Sequence, residues 1–356
     1  MMEAMTDQQL TQTEELRSTK FPEDFRPGAR NAVTTCLRIQ PEEKVTLITD
    51  RSCQTIAASL VEELDRVGCS WSGFILEELA HRPVKEMPPA VLDDMEASQV
   101  SIFAVEVQPN ELRSRMQMTD VVNRRRMRHA HMVNITPEVM RQGMRADFLE
   151  IDRLSQAVLD LVRAATYVRA TTAAGTDIHA ELSKDYRWFK TSGIISSEKW
   201  GNLPGGECFT APKEVNGVFV VDGVVGDFLC ARYGLLRSTP LTINLEGNRI
   251  TRLSCVNKSL EQEFWAYTHT DENSDRVGEF AIGTNIGVER VIGNILQDEK
   301  FPGVHIAFGD PYGAHTGAQW KSSTHIDVVG LGFNIWLGDA AGEEQIMRDG
   351  VFLLHP

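Results

Sequence analysis

The sequence predicts an α/β N-terminal domain with a parallel sheet, followed by an α+β C-terminal domain built mainly from antiparallel strands. Three observations lead there. Between residues 45 and 137, apolar β-branched runs alternate with helical patterns, as in a parallel sheet covered on both faces. Past a helical segment near 150–166 the pattern turns to strands separated by Gly, Asn and Asp turns. The length of 356 residues suits two domains, placed at 1–165 and 166–356.

Taken in order, KVTLIT is the first strand, and CQTIAASLVEELDRVG is a helix whose end at Gly68 suits a C-cap. WSGFILEE and VSIFAVEV are the next two strands. A long helical segment around 110–129 leads into HMVNI, the fourth strand, and Pro137 opens another helix. No GxGxxG or Walker-type loop follows any of these strands, so nucleotide binding is not expected. The next segment, IDRLSQAVLDLVRAAT, places Ile151, Leu154, Val158, Leu161 and Val162 at helical spacing and links the two halves. Beyond it, YVRATTAAGTDIHAEL, NGVFVVDG, LTINLEGNRITRLSC and HIDVVGLGFNIWL are strand segments, with Glu246-Gly247-Asn248 as a hairpin turn. SLEQEFWAYTHTDENSDRVG and IGVERVIGNIL are expected to be helical interruptions.

Composition narrows the function. Lys plus Arg is 36 against 50 Asp plus Glu, a formal charge of −14, which disfavours general binding to nucleic acid. Hydrophobic residues at 42% and charged residues at 24% are ordinary for a soluble globular protein. No uncharged apolar run approaches 18 residues, so no membrane span is expected. Residues 1–22 lack the apolar core of a signal peptide, and the six cysteines lie at least 16 positions apart without a CxxC pair. Both features fit a cytoplasmic protein. The one basic concentration, NRRRMRHAH, is expected to be a solvated helix face, with an oligomer contact or an anionic-substrate contact as alternatives.

The chemistry concentrates near the C-terminus. The stretch HIAFGDPYGAHTGAQWKSSTHID holds His305, His315 and His325, together with Asp310 and Asp327. His325 and Asp327 stand two apart and share a face if the segment is a strand. With His305 they make two imidazoles and a carboxylate, a set that suits Zn, Fe, Co or Mn. Glu207 sits in the tight loop NLPGGECFTAP, and Glu279 lies between glycines in GEFAIGTN. Either glutamate alone reads as a surface residue.

Together, NLPGGECFTAP, GEFAIGTN, HIAFGDPY and STHID resemble the thermophilic metalloprotease family of aminopeptidases T, S and II, the leucyl-aminopeptidase type with two metals. The motifs occur in family order across residues 165–356, and the N-terminal half is more loosely similar. The resemblance implies six metal ligands: Glu207, Glu279, His305, Tyr312, His325 and Asp327. Glu279 would bridge two divalent ions (Zn, Co or Mn), and Glu279 and Tyr312 would act in catalysis. A hydroxide activated by the two metals would attack the N-terminal bond of a peptide or a related small amide, with Tyr312 as an acidic phenol near the developing oxyanion. A homodimer is implied as well. His315 has no counterpart in the pattern. A distant branch, similar to 2,5-dihydroxypyridine dioxygenase, uses a single iron held by two His and one Asp. It implies the alternative of a mononuclear non-haem iron ring-cleaving dioxygenase using His305, His325 and Asp327. Retention of Glu207 and Glu279 argues for the hydrolase.

Overall fold

The computed structural model describes residues 7–354, with side chains described from residue 11 onward. Two compact units emerge. The first runs to Leu149 and takes in Gly193–Gly205; the second comprises Glu150–Ser192 and the chain from Gly206 onward.

The first unit has four parallel strands from the expected runs: β1 (Lys44–Thr49), β2 (Ser70–Ile75), β3 (Val100–Val105) and β4 (Arg128–Val133). Nearly every residue in them is buried, the mark of a sheet covered on both faces. The helices Gln54–Val67 and Leu112–Arg125 serve as crossovers. Arg82 knits the loops at one end of this sheet, donating to Glu111, Asp50, Glu77 and the Glu106 carbonyl.

The basic cluster corrects one expectation. Arg124 and Arg125 do pair with Glu96 on the surface, but the histidines beyond them belong to β4. His129 is fully buried, accepting or donating at Ser101 and His131, and Trp200 covers both rings. Burial pushes the His129 imidazole down to about 3, so it stays neutral. The cluster straddles a helix end and a central strand, which a charge count does not distinguish.

The second unit is antiparallel. β5 (Tyr167–Thr172) and β6 (Asp177–Glu181) form a hairpin, and β7 (Phe189–Lys190) follows. The chain returns to the first unit for β8 (Gly201–Asn202), parallel to β4, before β9 (Glu207–Thr210) and β10 (Glu214–Val221). β11 (Leu241–Glu246) and β12 (Arg249–Cys255) pair through the expected turn, where Gly247 and Asn248 both have positive φ (57° and 68°). β13 (Val277–Gly283), β14 (Gly303–Gly309), β15 (His325–Val329), β16 (Phe333–Asp339), β17 (Gly342–Arg348) and β18 (Val351–Phe352) complete the chain. They form two sheets, in the orders β12-β11-β10-β6-β5-β16-β17-β18 and β15-β14-β13-β9-β7.

One apolar core serves both sheets, and the helix Phe148–Ala164 contributes Leu154, Val158, Leu159 and Val162 to it. The segment IGVERVIGNIL departs from its expected helix: only Ile295–Asp298 is helical. The buried Asp298 carboxylate accepts the backbone N–H groups of Ile292, Gly293 and Asn294, holding the preceding chain in a loop instead. Among the described residues no helix is long and apolar enough to cross a membrane.

Candidate metal centre

The five-stranded sheet of the second unit has two faces of opposite character. Because side chains alternate along a strand, Cys208, Phe280, Ile282, Ile306, Phe308, Ile326 and Val328 all enter the apolar core. Their odd-numbered neighbours Glu207, Glu279, His305, His325 and Asp327 fall on the other face. Pairing register then brings them together. Ala307 stands between Glu279 and Asp327 across the sheet, Ala281 between Phe209 and His305, and Gly283 opposite Glu207. Small residues at the middle positions leave room between the functional ones.

The resulting distances are short. One donor atom each from Glu207, Glu279 and His305 lies within 4.8 Å of the others, and all three residues are buried. His305 Nε2 is 3.5 Å from Glu207 Oε2 and 3.5 Å from Glu279 Oε1. The other oxygen of Glu279 lies 3.8 Å from His325 Nε2, which is itself 3.6 Å from Asp327 Oδ1. Glu279 therefore faces two groups of candidate ligands, or half-sites: Glu207 with His305, and His325 with Asp327.

Three observations fit this cluster to divalent cations. His305 Nε2 is buried without a hydrogen-bond partner, a costly state for a ring nitrogen unless an ion satisfies it. His325 Nδ1 lies 2.9 Å from the Asp310 carbonyl, which can only accept; the proton therefore sits on Nδ1 and Nε2 is left to face the carboxylates. The donor set itself, imidazole nitrogen with carboxylate oxygen, suits Zn, Co, Mn or Fe.

Charge is balanced from within. Burial works to raise the Glu207 carboxyl, but the Lys300 ammonium and His305 hold it below its ordinary value. Burial likewise opposes ionisation of Asp327, and His325 beside it prevails, keeping it low. In Glu279 burial wins and the carboxyl is pushed up. Burial disfavours a charged His325, yet Asp327 and Glu279 outweigh it and push the ring up to about 10. Tyr312 caps the short helix Gly313–Thr316 in a left-handed conformation (φ 49°) and lays its ring 4.4 Å from that of His325. Burial of its hydroxyl and the carboxylates of Glu279 and Asp327 push the phenol well up. The residue as a whole remains 42% exposed, so the neighbouring charges are the firmer cause.

All six expected residues therefore lie on one sheet face or at its rim. Asp310 plays a different part: its carbonyl orients His325 and its carboxylate accepts the Tyr312 N–H. His315 is exposed and packs edge-on against Phe189, 5.3 Å between ring centres.

Two residues of the centre escape a reading of the sequence. Lys300, 2% exposed, places Nζ 2.6 Å from Glu207 Oε1 and 2.5 Å from Glu299 Oε1. Burial pushes the Glu299 carboxyl up to about 8 against the pull of Lys300. In sequence they are part of Asp298-Glu299-Lys300, which looks like surface charge next to a helical pattern.

Comparison with known proteins bears on this arrangement. The family model described as thermophilic metalloprotease (M29) matches residues 151–352, the span that contains the whole cluster. No curated protein matches in sequence. Among solved structures, wild-type AmpT from Thermus thermophilus superposes with a TM-score of 0.66 at 16% identity, over 93% of this chain and 99% of the other. The 2,5-dihydroxypyridine dioxygenase from Pseudomonas putida KT2440 superposes with a TM-score of 0.65 at 15% identity, over 92% and 96%. At such identities both likenesses speak for the fold alone.

Proposed function

The chain belongs to the thermophilic metalloprotease family (M29), and from that premise we propose that it is a metal-dependent aminopeptidase acting on the N-terminal residue of peptides or related small amides. Two divalent cations would be held by Glu207, Glu279, His305, His325 and Asp327, with Tyr312 at the rim. The observation that carries this reading is the position of Glu279, whose two oxygens face His305 and His325 separately. A single iron needs only His305, His325 and Asp327; it gives no role to two further buried carboxylates at the same spot.

When bound, such ions supply Lewis acidity and lower the pKa of water towards neutrality. The protein's own groups do the rest. Glu279 sets the separation of the half-sites. Asp310 and Thr191 fix His325 and Glu207 through hydrogen bonds, so neither ligand reorganises during turnover. Tyr312, at the rim beside His325, would hydrogen-bond the substrate carbonyl oxygen as negative charge grows there. The acidic surroundings favour a substrate that presents a protonated amine.

The test is metal analysis of the purified protein together with hydrolysis of leucine amide, in air and under nitrogen. Two divalent ions per chain, with turnover indifferent to dioxygen, is the expected result. One tightly bound iron per chain and activity only in air would refute it in favour of the oxygenase.

A further inference from the structure

Lys300 brings into the centre a positive charge that metal ligation does not require. The fold nevertheless goes to some length to deliver it. Asp298 gathers the backbone N–H groups of Ile292, Gly293 and Asn294, fixing the loop that ends at Lys300. That segment then crosses the site face of the sheet at Gly283, where any side chain would collide: a Cβ would stand 2.1 Å from the Phe301 carbonyl oxygen and 2.9 Å from the Lys300 carbonyl carbon. Gly283 is the pairing partner of Glu207, so the crossing puts the ammonium directly beside that carboxylate.

The contacts divide the Glu207 carboxylate in two. Oε1 is held by Lys300 Nζ at 2.6 Å and by the Thr191 hydroxyl at 2.8 Å, whereas Oε2 lies 3.5 Å from His305 Nε2. We propose that Lys300 is a positioning residue and resident counter-charge: it holds Glu207 by Oε1 so that Oε2 alone is presented, beside His305, to a divalent cation, and it supplies positive charge to the acidic centre while no cation is there. The proposal rests on the metalloenzyme reading above. It follows that Lys300 makes the metal-free protein more stable and the cation less tightly bound. Without it, Glu207 and Glu299 are left buried without their ammonium, only the Thr191 hydroxyl still holds Glu207 Oε1, and a cation takes over the charge and the positioning.

Lys300→Met keeps the length and bulk of the side chain and removes the charge; Lys300→Arg keeps the charge. Each full-length protein is melted in chelator and again with saturating cobalt(II), and cobalt affinity is measured by calorimetry. Lys300→Met should melt roughly 5–10 °C below the parent in chelator, come back to within a few degrees of it with cobalt, and bind cobalt at least tenfold more tightly. Lys300→Arg should stay near the parent in both conditions. If Lys300→Met folds only with cobalt present, that supports the proposal. The same loss of melting temperature with and without cobalt, or cobalt affinity unchanged or weakened, overturns it and leaves the metalloenzyme reading intact. No cobalt uptake by the parent protein overturns that reading, and this proposal with it.

Discussion

Glu279→Gln is the sharpest single perturbation, because it keeps the shape of the side chain and removes one negative charge from between the half-sites. The Glu279 oxygens lie 3.5 Å from His305 Nε2 and 3.8 Å from His325 Nε2, so this one carboxylate faces both rings. At an effective dielectric near 20, a unit charge about 4 Å from a carboxylate is worth about 4 kcal/mol. A divalent ion at comparable range gains more, offset by its lost hydration. The net cost of removing one partner from such a buried cluster is about 3–5 kcal/mol. At about 1.4 kcal/mol per decade, metal affinity should fall roughly 10²- to 10⁴-fold. Metal content after dialysis against micromolar zinc or cobalt reads this directly, with leucine amide turnover measured in parallel. Glu207→Gln should weaken one site and leave the other largely filled. If Glu279→Gln keeps two ions at parental affinity, Glu279 is no bridge and the two-half-site argument fails.

Further outcomes follow from the same structure. In chelator, stability should fall as pH rises from about 6.5 to about 10: the raised His325 contributes fully below the ordinary histidine value and loses its contribution through its folded value of about 10. The raised Glu299 adds a loss of the same sign between about 4.5 and 8, and a flat profile of melting temperature against pH would sink this account. Because ligands must shed protons, cobalt binding should tighten over the same range and release protons, seen as a buffer-dependent heat in calorimetry. Gly283→Ala should cost about 2–3 kcal/mol through the 2.1 Å approach of its Cβ to the Phe301 carbonyl, measured by chemical denaturation; an unchanged midpoint would mean that the Lys300 segment is free to move. Arg82→Met, which leaves Glu111 and Asp50 buried without their partner, should destabilise the first unit by about 3–5 kcal/mol in urea, and a loss under 1 kcal/mol would contradict that.

Much of the architecture is legible from local patterns. The runs KVTLIT, VSIFAVEV and HMVNI lie in strands because a sheet covered on both faces asks only for apolar β-branched stretches. The Gly247-Asn248 turn is legible because positive φ at two successive residues narrows the choice of side chain. Elements that owe their form to distant partners are not. Gly201–Asn202 is a strand only because β4 offers it an edge. IGVERVIGNIL has helical spacing, yet the Asp298 carboxylate takes up the N–H groups that a helix would use. The expected ligands stand out through motif order, whereas Lys300 and Glu299 sit in an unremarkable charged run. Their role depends on a chain crossing at Gly283 that no local pattern announces.

The alternation in the five-stranded sheet also separates two kinds of mutational risk. Even-numbered positions such as Phe280, Ile306 and Val328 are committed to the core, and changes there endanger folding. The odd-numbered positions beside them carry charge and chemistry but little of the packing. A substitution at 207, 279, 305, 325 or 327 can therefore exchange one donor for another while the neighbouring apolar layer stays as it was. Changes at these positions are therefore expected to show first in cation binding, and only through lost charge balance in the stability of the fold.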